Sequence, residues 1–257
     1  MDSMDDRMGA PLTLAIDVGG THLKAGVLDP TGTMTAGPVR VETPPPADPR
    51  AVVPALVGLA RQLGGFDRVS TGFPGVVRGG RVLTAPNLGT ASWHGFDLGG
   101  ALADQLGKPV RLANDAAVQG LGVISGHGIE LVLTLGTGIG FSLFQNGRLG
   151  PHLEMSQHPV RKGATYDEYL GRAALKAIGK RRWLRRVQRV IAIMDRVVNY
   201  DALLIGGGNA KLLEPPLPER VQVVANQAGI TGGVRLWDER MDEAFAHAPP
   251  SGAPAPP

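Results

Sequence analysis

Two stretches of the chain carry the same alternation of apolar and polar positions. Leu14-Ala15-Ile16-Asp17-Val18 is a run rich in β-formers that stops at Gly19-Gly20-Thr21, and Leu23, Ala25 and Val27 then recur at every second position. Leu131-Val132-Leu133-Thr134-Leu135 stops in the same way at Gly136-Thr137-Gly138, with Phe141 and Leu143 alternating beyond it. Period two is the spacing of a strand with one covered face, so each stretch predicts a strand, a Gly/Thr bend and a second strand. The first unit turns next at Asp29-Pro30-Thr31-Gly32 and the second at Asn146-Gly147, the dipeptide suited to the positive φ angles of a type I′ turn. One device built twice predicts a duplicated lobe, with both bends facing a shared cleft.

The period changes to that of a helix over Ala51 to Leu63, where Val52, Leu56, Leu59 and Leu63 fall on one face after Pro44-Pro45-Pro46 ends the opening sheet. Val69 and Phe73 belong to a strand leading to Pro74-Gly75, Asp97 reads as the N-cap of a helix over Leu98 to Leu106, and Val110-Arg111-Leu112 is a short buried strand. Ala113 to Val118 open a helix, a helical region runs from Tyr166 to Asn199, and Leu203-Leu204-Ile205 is a further strand. Hairpins that open a lobe, followed by strands alternating with helices, imply mixed sheets in an α/β protein. The lobe boundary is expected near Ala113 to Gly126, giving lobes over 12–115 and 116–245, and the ends 1–11 and 246–257 have the composition of disordered tails.

Composition narrows the class. A chain of 257 residues can bury two cores of ordinary size, and the absence of cysteine excludes disulfides and thiolate metal sites. No apolar run approaches the roughly 20 residues of a membrane span, and the start Met1-Asp2-Ser3-Met4-Asp5-Asp6 is acidic where a signal peptide is basic, so a cytoplasmic protein is expected. The net charge of +3 identifies no partner by itself, and neither nucleic acid nor membrane is expected.

Four groups of residues carry candidate chemistry. Backbone N–H groups in the bends at Gly19, Gly20, Thr21 and at Gly136, Thr137, Gly138 can approach a polyanion closely, and two such bends would grip one phosphate chain from both sides. Asn114-Asp115 follows a strand and enters a helix, where α/β sheets open onto ligands. Asp115 there is either a general base on a substrate hydroxyl or only a helix cap. Glu154 with His158 has too few groups for a metal site and suits the hydroxyls of a polyol. Gly206-Gly207-Gly208-Asn209 admits a phosphate or nucleotide at a helix N-terminus, or serves tight packing alone, and no P-loop of the form G-x-x-x-x-G-K-[ST] is present.

In order along the chain, Asp17-Val18-Gly19-Gly20-Thr21, Pro74-Gly75, Pro86-Asn87-Leu88 with Trp93, Asn114-Asp115, Gly136-Thr137-Gly138-Ile139-Gly140, Glu154 with His158, and Gly206-Gly207-Gly208-Asn209 together resemble the ROK family of sugar kinases, within it the short polyphosphate glucokinases. The resemblance spans about residues 12–235 and implies the actin-like ATPase/hexokinase (ribonuclease H-like) fold, two α/β lobes closing on a sugar and a phosphoryl donor. It implies that Asp17 orients Mg²⁺ or its water, that Gly19, Gly20, Thr21 and Lys24 hold donor phosphates, and that Gly136, Thr137 and Gly138 form the second phosphate loop. Asn87, Asn114 and Glu154 would bind sugar hydroxyls, with His158 and Asp167 beside them. Asp115 would be the general base, and Gly206, Gly207 and Gly208 would lie near the nucleoside when ATP is the donor. The implied reaction moves a phosphoryl group from polyphosphate or ATP to the 6-hydroxyl of glucose or a similar hexose, in a homodimer.

The chain departs from the family pattern in places. The zinc site of many relatives needs cysteines that are absent here, and the Glu-x-Gly-His motif stands as Glu154-Met155-Ser156-Gln157, with His158 next. The later sugar-touching acid is Asp167 or Glu168. A regulatory sugar-binding protein that has lost catalysis is the alternative reading, although no helix-turn-helix segment is expected before Asp17. Lys176, Lys180, Arg181, Arg182, Arg185, Arg186 and Arg189 crowd one predicted helix whose apolar stripe is Trp183, Val187, Val190, Ile191 and Met194. That basic face is expected to carry a long polyphosphate chain, against the simpler account of a solvated surface.

Overall fold

The computed structural model describes residues 9–224 and 228–245, so most of both expected tails lies outside the described residues. The chain divides into two units, 1–114 with 230–257, and 115–229.

In the first unit, β1 (Thr13–Val18), β2 (His22–Leu28), β3 (Met34–Glu42), α1 (Pro49–Leu63), β4 (Arg68–Phe73), the small hairpin β5 (Val77–Arg78) and β6 (Arg81–Val82), α2 (Thr90–Trp93), α3 (Leu98–Leu106) and β7 (Val110–Asn114) follow in order. Its main sheet runs β3-β2-β1-β4-β7, antiparallel through the opening hairpins and parallel from β1 to β7. The Asp29 carboxylate ties the first turn by accepting from the amides of Thr31 and Thr33 at 2.9 and 3.0 Å. Val52, Leu56 and Leu59 of α1 are fully covered against Leu14, Ile16 and Leu23, as their helical spacing requires. Asp97 caps α3 by accepting from Gly100 N at 2.8 Å.

The second unit holds α4 (Asp115–Leu121), β8 (Ile129–Leu135), β9 (Ile139–Gln145), β10 (Arg148–Leu149), the hairpin β11 (Pro159–Arg161) and β12 (Ala164–Thr165), α5 (Tyr166–Leu170), α6 (Arg172–Ile178), α7 (Lys180–Val198), β13 (Ala202–Gly206) and β14 (Val221–Val223). Its sheet order β10-β9-β8-β13-β14 repeats that of the first unit strand for strand, with the same antiparallel start and parallel continuation. Asn146 and Gly147 take φ of 52° and 78°, the predicted hairpin geometry. The expected single helical region is three helices. Gly171 departs from helical geometry because its neighbour Arg172 donates its N–H to Thr137 O at 3.1 Å, and Gly179 starts α7 from φ 74°.

The last described segment, with α8 (Ala228–Thr231), two 3₁₀ turns and α9 (Asp242–Phe245), differs from expectation. From residue 230 onward it belongs to the first unit, where the sequence reading placed it in the second lobe. Side-chain bonding accounts for this. Ser70 donates to Gly233 O at 2.6 Å and accepts from Trp237 Nε1 at 2.9 Å, and the guanidinium of Arg111 lies 4.6 Å from the Trp237 ring while pairing with Asp242 at 2.6 Å.

One buried hydroxyl has no partner among the described residues. Thr71 Oγ1 is on β4, in register with Ile16 and Leu112 of the core. Thr71→Val exchanges an unmet desolvation cost for a methyl of the same shape, so it should stabilise the fold by about 1 kcal/mol. A lower urea midpoint for the variant would show that the hydroxyl has a partner.

Candidate functional site

Each unit presents one Gly/Thr bend, and both bends are built alike. In the first, Gly19 N donates to His22 O at 3.0 Å, Thr43 Oγ1 donates to Gly19 O at 2.6 Å and Thr43 N to Thr21 O at 3.0 Å. A Cβ at Gly19 would lie 2.7 Å from His22 O, so this crossing needs glycine. In the second, Gly136 N donates to Gly138 O at 3.0 Å, Asn209 Nδ2 to Gly136 O at 3.1 Å and Arg172 N to Thr137 O at 3.1 Å. The loop carbonyls are thus tied back. The amides of Gly20 and Thr21, and of Thr137 and Gly138, donate to no acceptor among the described residues, which is the arrangement an anion cradle needs.

Asp17 pairs in register with Lys24 across the first hairpin, their side chains 3.5 Å apart. Burial pushes the Asp17 carboxyl up, and Lys24 only partly opposes this. Such a carboxylate gains from an arriving cation and fits Mg²⁺ held directly or through water, a metal that commonly takes one or two carboxylates together with substrate phosphates. Asn87 lies in the turn where Leu88 N bonds Ala85 O at 3.0 Å, next to Gly20. Asn114, the last residue of β7, donates through Nδ2 to Gly75 O at 3.1 Å and so fastens the Pro74-Gly75 turn to the strand end. Asp115 opens α4, and its Oδ1 accepts from Ala116 N at 2.8 Å.

The polar segment after β10 centres on Glu154. His152 Nε2 lies 3.2 Å from Glu154 Oε2, and Ser156 Oγ donates to Oε1. Burial pushes the Glu154 carboxyl up, but the bonds from His152 and Ser156 outweigh it and hold the group below the ordinary carboxylate range. His158 stands instead against the Tyr166 ring, 6.2 Å between centroids. The histidine beside Glu154 is therefore His152, which nothing in the sequence pattern marked except its two-residue distance from the acid. Asp167 and Glu168 are separated in role, because Glu168 closes a capping box with Thr165 while Asp167 Oδ1 accepts from Ile139 N at 2.6 Å, directly after the second bend. Burial raises the Asp167 carboxyl, the Ile139 bond partly offsets this, and the nearby Glu154 charge adds to it. Gln157 Nε2 approaches Asp167 Oδ2 at 3.4 Å.

Gly206 to Asn209 lead into a 3₁₀ turn of three residues, Ala210–Leu212, so the expected helix N-terminus is not formed there. Gly207, at φ 89°, passes so close to Leu135 that a Cβ would meet its backbone nitrogen at 2.6 Å, whereas Gly208 faces open space. The basic helix is α7, whose Trp183, Val187, Val190, Ile191 and Met194 are buried as predicted. Arg186 is not part of its free face. It donates to Tyr169 O at 2.9 Å with its guanidinium 4.4 Å from that ring, and Lys180 pairs with Glu214 at 2.5 Å, while Arg181, Arg182, Arg185 and Arg189 are exposed.

Two sheets of one strand order, each with a Gly/Thr bend between its first two strands, define the duplicated α/β architecture of the actin-like ATPases. The chain belongs to the ROK family, whose model matches residues 13–151. It is 32% identical to the polyphosphate glucokinase of Mycobacterium tuberculosis over 237 residues, covering 84% of this chain and 88% of that protein. Among solved structures, the inorganic polyphosphate/ATP-glucomannokinase of Arthrobacter sp. strain KM superposes with TM-score 0.77 at 29% identity, covering 87% of this chain and 97% of that one. The ROK family glucokinase of Streptomyces griseus, solved with glucose and AMPPNP, has the same fold, with TM-score 0.70 at 22% identity over 88% and 98% of the two chains. No helix among the described residues is long and apolar enough to cross a membrane.

Proposed function

We propose that this sugar kinase transfers a phosphoryl group to the 6-hydroxyl of glucose, with polyphosphate as the principal donor and ATP as an alternative. The observation that carries the reading is the pair of equivalent bends whose carbonyls are tied back and whose amides at Gly20, Thr21, Thr137 and Gly138 have no acceptor among the described residues. Phosphoryl transfer through a loose transition state asks mainly for positioning and charge stabilisation, and such bends supply both. The likeness to a polyphosphate glucokinase and a polyphosphate/ATP-glucomannokinase supports the choice of donor.

In this reading Gly19, Gly20, Thr21 and Lys24, and Gly136, Thr137 and Gly138, hold donor phosphates. Asp17 holds Mg²⁺, which when bound neutralises charge on the donor phosphates. Asn87, Asn114 and Glu154 orient the hexose, and Asp115 takes the proton of the attacking hydroxyl. Incubation with glucose, Mg²⁺ and either donor should yield glucose 6-phosphate. Absence of product with both donors, despite sugar binding, would favour the regulatory sugar-binding alternative, to which the altered motif at Ser156 and Gln157 lends some support.

Glu154 gives a specific check of the sugar site. Its removal leaves sugar donors unpaired, a cost of order 1–3 kcal/mol, so Glu154→Ala should raise the KM for glucose about tenfold or more and leave the donor KM nearly unchanged. An unchanged glucose KM would place Glu154 outside the sugar site.

A further inference from the structure

We propose that His152 and Ser156 are positioning residues for the sugar: they bracket Glu154, hold its carboxylate in one orientation and keep it an acceptor for sugar hydroxyls. The inference rests on Glu154 being the sugar-binding acid. A carboxylate offers about four acceptor directions, and the bracket fills one on each oxygen, Oε2 from His152 at 3.2 Å and Oε1 from Ser156. The remaining directions are left for hydroxyls, and the head group cannot rotate without breaking one of the two bonds. Ser156 is buried, which fixes its hydroxyl, and the Met155–Gln157 3₁₀ turn sets the distance from Glu154 to that hydroxyl. One partner, Ser156, is a departure from the family motif. Ser156 stands where the resembled Glu-x-Gly-His pattern has glycine, and Gln157 where it has histidine, while the imidazole beside the acid belongs to His152.

The charged and titratable groups around Glu154 define what the bracket does with pH. His152 lies on the same segment, Asp167 faces it from α5 and is repelled by its charge, and Gln157 between the two acids is neutral. Burial works against ionisation of Glu154, and the bonds from His152 and Ser156 together with the His152 charge more than offset it. Loss of His152 should therefore let the Glu154 carboxyl rise, so that the fall in kcat/KM for glucose on acidification begins at a higher pH.

The test compares wild type with Glu154→Ala, His152→Ala and His152→Gln in steady-state kinetics, with kcat/KM for glucose followed from neutral to acid pH. We expect His152→Ala to raise the glucose KM about tenfold, with kcat and the donor KM within about twofold, and to shift the acid limb upward. His152→Gln, which keeps an N–H donor at the same reach, should recover most of the affinity. Glucose binding read by intrinsic fluorescence gives the same comparison should turnover be low. A glucose KM raised by Glu154→Ala while His152→Ala leaves both KM and acid limb unchanged would overturn the proposal alone. No change in Glu154→Ala would overturn it together with the reading of Glu154.

Discussion

Asp115→Asn is expected to lower kcat by two decades or more while the glucose KM stays within several-fold. The variant keeps the shape of the side chain and one acceptor oxygen, so it can still accept from Ala116 N as Oδ1 does at 2.8 Å. Helix capping and local structure are thereby preserved. What is lost is the capacity to take a proton, and general-base assistance contributes about 10²- to 10⁴-fold in rate. The split between kcat and KM identifies the role, since an interaction made only in the transition state lowers kcat and kcat/KM together. Near-normal turnover with unaltered stability would reduce Asp115 to the first residue of a helix.

The second large effect is expected on α7. Replacing Arg181, Arg182, Arg185 and Arg189 together by Gln should impair use of long polyphosphate by roughly fourfold to several-hundredfold or more, because exposed charge pairs contribute about 0.2–1 kcal/mol each and four act on one chain. Use of ATP should be nearly unaffected. Arg186 is left in place because its contact with Tyr169 helps dock α7 on α5, the helix whose Asp167 supports the second bend. The wild-type KM for polyphosphate should also rise steeply with salt, as screening weakens exposed cations. Equal loss with both donors, or none with either, would return this face to ordinary surface.

Local patterns were legible to the extent that local physics decides them. The Asp29 and Asn146 turns, the stripe of α1 and the Asp97 cap depend on residues within a few positions of one another, and all took the expected form. The interruption at Gly171 was hidden because a glycine in a helical pattern costs only about 1 kcal/mol, and here the reason for the break is a bond to Thr137, far away in sequence. The return of residues 230–245 to the first unit depends on Ser70 meeting Trp237, a separation of 167 positions that no window of periodicity spans. In the candidate site, glycines and acids in order along the chain marked the bends, Asp115 and Glu154. His152 was invisible, since its value comes from the conformation of an irregular segment. Arg186 looked like its neighbours until Tyr169 was seen beneath it.

Comparison of the two sheets separates repeated parts from unrepeated ones. In the first unit the third strand, β3, passes through a short connection to α1 and then to β4; in the second, β10 reaches the equivalent α7 and β13 only after residues 150–179. The bends lie in the repeated framework, whereas Glu154, its bracket and Gln157 lie in the stretch without a counterpart. In the proposed reading the donor contacts are therefore shared by the two repeated sheets, whereas the sugar contacts are not repeated, with Asn87 and Asn114 in the first unit and Glu154 in the stretch that only the second unit carries. A stretch outside the sheet can exchange residues such as Ser156 and Gln157 without disturbing strand register, so substitutions there would alter sugar contacts while leaving both bends in place.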